Sequence, residues 1–224
     1  SEKIETKESP IVPREKPALE KLPIDVQDKL KTIKTKLDKF QKRVLDKFDK
    51  YIVGIALLPP PKPIEQKQLP DQKQPLDKDK INVLVLVDDS DSKKMLKYEL
   101  KDKLTAIMKN IALEIDKNLT PQVIILSELW QNCYDGKYEL LQLIALSAPI
   151  FDMGMLAAIK IAEVHKTMVL KKFEKYIVSY VLAGSLVQGR ATPTSDIDVW
   201  IVIDDTDVKK MTRAELKDKL RAII

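Results

Sequence analysis

Apolar residues recur along this chain in two spacings, and the alternation between them predicts most of its elements. Val26, Leu30, Ile33, Leu37, Phe40, Val44 and Phe48 follow one another at steps of three and four, which marks an amphipathic helix with a core-facing stripe. Asp25 stands where an N-cap belongs. Runs dense in Val, Ile and Leu predict strands over Tyr51–Leu58, Ile81–Val87 and Gln122–Ser127. Lys94–Ile115 reads as a helix between the second and third of these. Tyr138–Ala148 and Met153–Lys175 read as further helices, and Tyr176–Ala183 and Val199–Ile203 as further strands. Thr212-Arg213-Ala214-Glu215 is a capping box that opens a last helix, with Leu216, Leu220, Ile223 and Ile224 on one face. Residues 1–23, polar and proline-bearing, are expected to form a disordered tail.

The pattern is written twice. Lys47-Phe48-Asp49-Lys50-Tyr51-Ile52-Val53 returns as Lys172-Phe173-Glu174-Lys175-Tyr176-Ile177-Val178, and Val87-Asp88-Asp89 returns as Ile203-Asp204-Asp205. Glu99 to Leu104 is repeated letter for letter at Glu215 to Leu220. Such self-similarity has to be recognised before a fold is assigned. The expected class is α/β (α+β): two tandem units, each a small mixed sheet flanked by helices, the first over residues 24–150 and the second, truncated, over 151–224.

The two copies differ where chemistry belongs. In the second, Gly184-Ser185 follows the strand-like run Tyr176–Ala183, and Ser195-Asp196-Ile197-Asp198-Val199 opens the next run. Side chains alternate along a strand, so Asp196 and Asp198 project together and Ile197 projects the other way. Neighbouring carboxylates repel unless a cation joins them, and a hard cation such as Mg²⁺ takes such oxygens together with substrate phosphates. A Gly-Ser turn offers backbone N–H groups to a phosphate. In the first copy Pro59 and Pro60 align with Gly184 and Ser185, and Lys80 and Asn82 align with Asp196 and Asp198. Proline has no N–H to give, and lysine and asparagine supply no paired negative charge. The stretch from Pro59 to Lys80, rich in Pro, Gln and Lys, reads as an extended loop. The first copy is therefore expected to keep the framework and lack the site.

Ala183-Gly184-Ser185 with Asp196-Ile197-Asp198 resembles the signature of the DNA polymerase beta-like nucleotidyltransferase superfamily, in the form of its small archaeal and bacterial domains. The resemblance implies Mg²⁺-dependent transfer of a nucleoside monophosphate from a nucleoside triphosphate to a hydroxyl acceptor, with release of pyrophosphate. It implies that Asp196 and Asp198 are catalytic and hold one or two Mg²⁺ ions. It implies that Gly184, Ser185, Gln188, Gly189, Arg190 and Ser195 contact the nucleotide or shape its pocket. Members of the superfamily usually carry a third carboxylate on the next strand. In the first copy that strand, Gln122–Leu126, has no acid before Glu128. The alternative is a non-catalytic nucleotide-binding or assembly module in which the repeats form a pseudo-dimer.

Composition narrows the partners. The chain has 224 residues, a net charge of +5 and 33% charged residues of both signs, so its lysines read as solvated helix faces before they read as a nucleic-acid stripe. Aromatic residues make up only 5%, too few for a broad base-stacking platform. The acceptor is left open among small molecule, protein and nucleic acid, with the first two favoured. One cysteine, Cys133, excludes an internal disulfide and a cysteine zinc site. The single histidine, His165, reads as a surface or packing residue. Trp200 shares the face of the two aspartates and is expected either to line the nucleotide pocket or to pack under the sheet; Trp130 is expected to close the core of the first copy. No run is long and apolar enough for a bilayer and no signal peptide is visible, so a cytoplasmic location without membrane contact is expected. Ser1 in place of Met, and a helical pattern still running at Ile224, read as a fragment of a longer protein.

Overall fold

The computed structural model describes residues 23–60, 80–92, 95–190, 192, 194–204, 206 and 211–221. Residues 1–22 of the expected tail and residues 61–79 of the expected loop lie outside them. The elements run α1 (Ile24–Phe48), β1 (Ile52–Leu57), β2 (Ile81–Val87), α2 (Lys97–Leu113), β3 (Leu119–Ile125), α3 (Leu126–Tyr134), α4 (Glu139–Leu146), β4 (Ala148–Asp152), α5 (Met155–Phe173), β5 (Ile177–Ala183), α6 (Gly184–Val187), β6 (Asp198–Ile203) and α7 (Arg213–Arg221). The class is mixed α/β, with a mixed sheet flanked by helices.

The larger sheet has the order β3-β2-β1-β4, with β2 and β3 parallel and the other pairs antiparallel. Its central strands read as continuous apolar runs because both faces are covered. On one face Ile55, Val83, Val85 and Val87 pack against Phe40 and Val44 of α1 and Met108 and Ile111 of α2. On the other, Val53, Ala56, Leu84 and Leu86 pack against Leu129 of α3, Ile144 of α4 and Met155, Leu156 and Ile159 of α5. Gly54 makes the second contact close: a Cβ there would stand 2.7 Å from the Leu156 side chain. Asp152 fixes the start of α5 by accepting from the N–H groups of Gly154, Leu156 and Ala157 at 2.8–2.9 Å, which satisfies donors that a helix start leaves free.

The smaller sheet pairs β5 with β6 antiparallel. Its ladder repeats that of β1 and β2. Ile52↔Val87, Gly54↔Leu86, Ile55↔Val85 and Ala56↔Leu84 correspond to Ile177↔Ile203, Ser179↔Val202, Tyr180↔Ile201 and Val181↔Trp200, with an irregularity after the first pair in both. The flanking bonds match too: Asp88 N–H donates to the Tyr51 carbonyl at 2.8 Å, and Asp204 N–H to that of Tyr176 at 2.7 Å. Along β6 exposed and half-buried residues alternate, as in a sheet with one covered face.

Several expectations need correction. Pro23 occupies the N-cap position of α1, so Asp25 falls in the first turn; there it complements the helix dipole and does not cap. The third strand runs Leu119–Ile125 and not Gln122–Ser127, because Leu126 already begins α3. Both α3 and the short strand β4 were unanticipated. The capping box is present: Thr212 N–H and Oγ1 donate to Glu215 Oε2 at 2.9 and 3.0 Å, and Glu215 N–H donates back to Thr212 Oγ1 at 3.2 Å.

Candidate functional site

The β5–β6 pairing brings Gly184 and Asp198 together. Ala183, the last residue of β5, lies opposite Asp198, the first of β6, so the turn that leaves β5 begins beside that carboxylate. Gly184 makes this turn at φ 72°, a left-handed conformation that costs an L side chain about 1–2 kcal/mol. It also leaves room for the acid: a Cβ on Gly184 would fall 1.9 Å from Asp198 Oδ2. Two separate physical reasons thus require glycine here.

Gly184 opens the single turn α6, whose first N–H groups have no acceptor within the helix. Leu186 anchors that turn, 1% exposed, in the same cluster as Leu126 and Leu129 of α3. Burial of such a side chain contributes about 1.5–3 kcal/mol. Gly189, at φ 69°, ends α6 in a Schellman motif: its N–H donates to the Leu186 carbonyl at 3.1 Å and the Arg190 N–H to the Ser185 carbonyl at 2.9 Å. A Cβ on Gly189 would lie 2.8 Å from Leu126 Cδ1, so this glycine also lets the turn rest on α3. The exposed Gln188 and Arg190 side chains bond to each other, Nη2 to Oε1 at 2.5 Å.

Asp196 and Asp198 are both exposed, while Ile197 between them is half-buried and packs on the core beneath the larger sheet. Among the described residues neither carboxylate has a hydrogen-bond or ion-pair partner. Ser195 turns toward Thr192 and away from a role on Asp196: its Oγ accepts from the Thr192 N–H at 2.8 Å and its own N–H donates to the Thr192 carbonyl at 3.0 Å. Trp200 lies on the same side of β6 as Asp198 and is 70% exposed among the described residues. Trp130 sits in α3 against the second core, with its Nε1 buried and unpartnered.

Among the described residues no group of three or more His, Cys, Asp or Glu side chains converges. Glu128, the first acid after β3, is tied to Lys101 at 2.6 Å. His165 Nδ1 and the Tyr180 hydroxyl bond at 2.8 Å beside a cavity of about 220 Å³ between β5 and α3–α5. Burial, with the Glu163 carboxylate in second place, pushes the Tyr180 phenol up to about 12. The same two causes raise the Cys133 thiol in that cavity.

Sequence reasoning singled out the glycines and the acids and missed Leu186, which holds the turn in place. Its signal was present as an apolar residue two places after Gly184, but the partners that bury it come from α3, far back in the chain.

Residues 163–223 match the family model described as nucleotidyltransferase domain, in agreement with the polymerase beta-like resemblance of the same segment. The match takes in β5, α6, both aspartates, β6 and α7, and so every candidate residue. No curated protein and no solved structure matches the chain. Among the described residues no helix is long and apolar enough to cross a membrane.

Proposed function

We propose that the segment matching the nucleotidyltransferase domain carries the site of a Mg²⁺-dependent nucleotidyl transfer, from a nucleoside triphosphate to a hydroxyl acceptor with release of pyrophosphate. The observation that carries this reading is the approach of Gly184 to the Asp198 carboxylate, which sets an open backbone turn beside an acid pair. The donor set fits a hard cation: two exposed carboxylates, without partners among the described residues, offering oxygen only. Asp196 and Asp198 would hold one or two Mg²⁺ ions, with phosphate and water oxygens completing the shell. When bound, Mg²⁺ neutralises charge on the α-phosphate and the leaving pyrophosphate and lowers the pKa of an attacking hydroxyl.

The N–H groups of Gly184 and Ser185 face the β- and γ-phosphates in this reading, and the Schellman ending at Gly189 keeps the turn short. Gln188 and Arg190 line the entrance in this reading; the exposed guanidinium, which bonds Gln188 Oε1, can turn to a phosphate. Ser195 acts on the loop by fastening it to Thr192, and so holds the segment that carries Asp196 just ahead of β6. The acceptor class stays open, with a small molecule or a protein ahead of nucleic acid.

Residues 24–150 are proposed as a degenerate copy of the same unit, and residues 151–224 as the leading part of an active-type one. The identical ladder registers support this, together with Pro59, Pro60, Lys80 and Asn82 at the positions of Gly184, Ser185, Asp196 and Asp198. The contact of Gly189 with Leu126 joins the copies as a pseudo-dimer would. One observation favours a second reading, nucleotide binding without turnover: among the described residues no three or more His, Cys, Asp or Glu side chains converge on a metal site.

Pyrophosphate release from each of the four ribonucleoside triphosphates with Mg²⁺, measured on the wild type and on Asp196→Ala and Asp198→Ala, separates the readings. Release that is lost in both variants supports transfer. Nucleotide binding without release supports the second reading, and absence of both removes the site.

A further inference from the structure

Asp89 belongs to the repeated Asp-Asp pair that follows β2, a motif that the site described above does not use. Its carboxylate bonds to a residue 38 places further on. Oδ1 accepts from the Ser127 N–H at 3.0 Å and Oδ2 from the Ser127 hydroxyl at 2.5 Å, both part-buried. Ser127 is the second residue of α3. That helix begins directly after β3, and Ile125 at its N-cap position offers no side-chain bond. A helix start leaves its first N–H groups unpaired and carries partial positive charge, so a carboxylate there satisfies a donor and complements the dipole. Asp89 thus supplies, from the turn after β2, the cap that the junction of β3 and α3 lacks.

The same end of α3 is the seat of the glycine turn. Leu126, one residue before Ser127, is buried, and its Cδ1 lies 2.8 Å from where a Cβ on Gly189 would stand. Leu129, one turn further along α3, is fully buried in the cluster that takes Leu186 of α6. The carboxylate that fixes the first turn of α3 is therefore bonded one residue away from the surface on which α6 rests. Fraying of that turn would shift Leu126, and with it α6 and the N–H groups of Gly184 and Ser185. A phosphate cradle binds well only when its donors are held in place beforehand, since ordering them at the moment of binding costs affinity.

The repeat adds a second argument. The first copy has Pro59 and Pro60 in place of the Gly-Ser turn, and Lys80 and Asn82 in place of the acid pair, yet it keeps Asp88-Asp89. We propose that Asp89 is a positioning residue for the phosphate turn of the second copy: by clamping Ser127 it holds Leu126 and Leu129 under α6, in the geometry that takes a metal-bound polyphosphate. The proposal rests on the reading of the acid-pair site given above. It gives the first copy a part in that site, as the platform on which the turn is built.

The test measures calorimetric binding of Mg²⁺ tripolyphosphate to the full chain, as wild type, Asp89→Ala, Asp89→Asn, Ser127→Ala and Ile111→Val. Ile111 is buried on the face of the larger sheet away from α3. Its variant should lower the thermal unfolding midpoint about as much as loss of a cap does. Asp89→Ala should weaken binding about tenfold, the lower end of what loss of a supporting residue costs at a metal-bound site, while Ile111→Val should bind as the wild type does. Asp89→Asn, whose amide keeps an acceptor and gains a donor for Ser127, should retain most of the affinity. Ser127→Ala keeps the N–H bond and loses the hydroxyl one. It should weaken binding in the same direction, and it decides the matter if Asp89→Ala does not fold. Wild-type affinity in Asp89→Ala, or in Ser127→Ala where that variant stands in, overturns the positioning role and leaves the acid-pair site standing. Equal weakening in Ile111→Val overturns it too, because general loosening would then explain both. Failure of the wild type to bind tripolyphosphate ends the acid-pair reading, and the positioning role with it.

Discussion

Gly184 and Asp198 are locked to one another: the space that a methyl group on Gly184 would take is occupied by the Asp198 carboxylate, 1.9 Å from Oδ2. The strand pairing that sets Ala183 opposite Asp198 creates this contact. The residue following Ala183 must therefore be one without a side chain if the acid is to keep its place.

Gly184→Ala should for that reason cost more than backbone strain. Gly136 provides the reference, since it has nearly the same φ, 73°, and nothing within 4 Å of a Cβ. Gly136→Ala should lose only the left-handed penalty of about 1–2 kcal/mol. Gly184→Ala should lose that and about 0.5–1.5 kcal/mol more, the cost of turning the exposed Asp198 carboxylate out of the way. Adding Asp198→Ala to Gly184→Ala should recover much of the excess, a non-additivity that urea denaturation of the single and double variants measures.

The two capping positions predict changes of opposite sign. Thr212 completes a capping box on α7, whereas Leu96 at the N-cap of α2 makes no side-chain cap bond and is 57% exposed. Thr212→Ala should destabilise by about 1 kcal/mol. Leu96→Thr should stabilise by a similar amount, because Glu99 already stands three residues on, where the box needs an acid. Chemical denaturation midpoints check both; a loss of stability in Leu96→Thr would show that the Leu96 side chain matters more than the missing cap.

Tyr180 sets an alkaline limit. Burial, then the Glu163 charge, raises its phenol from 10.0 to about 12. The folded state thus favours the neutral phenol. The stability this contributes is complete below pH 10.0 and is lost as the pH rises toward about 12. In absorbance titration near the phenolate band, the difference between the wild type and Tyr180→Phe should develop around pH 12. A difference centred at pH 10.0 would mean that the ring is not held in the cavity beside His165.

The sequence made some elements readable and hid others for physical reasons. β1 and β2 are buried on both faces, so their apolar runs stand out. α3 was hidden because the run Val123-Ile124-Ile125-Leu126 continues from strand into helix with no Gly or Pro between them. β4 was hidden because it is five residues long and contains Pro149, tolerated there because β4 is an edge strand of its sheet. At the candidate site, the motif singled out Gly184, Asp196 and Asp198 because the pattern is local in sequence. The anchoring of α6 depends on Leu186 and Gly189 meeting α3, a contact across distant parts of the chain that no local pattern encodes.

Mn²⁺, a spin-active substitute for Mg²⁺, reports most directly on whether the two aspartates and the glycine turn seat a metal-bound polyphosphate. In electron paramagnetic resonance titrations, the wild type should take up Mn²⁺ weakly alone and much more tightly with ATP present. Asp196→Asn/Asp198→Asn should abolish both, with the unfolding midpoint kept or raised because the repulsion between the acids is gone. Equal Mn²⁺ uptake by the wild type and the double variant, with or without ATP, would contradict the proposed site.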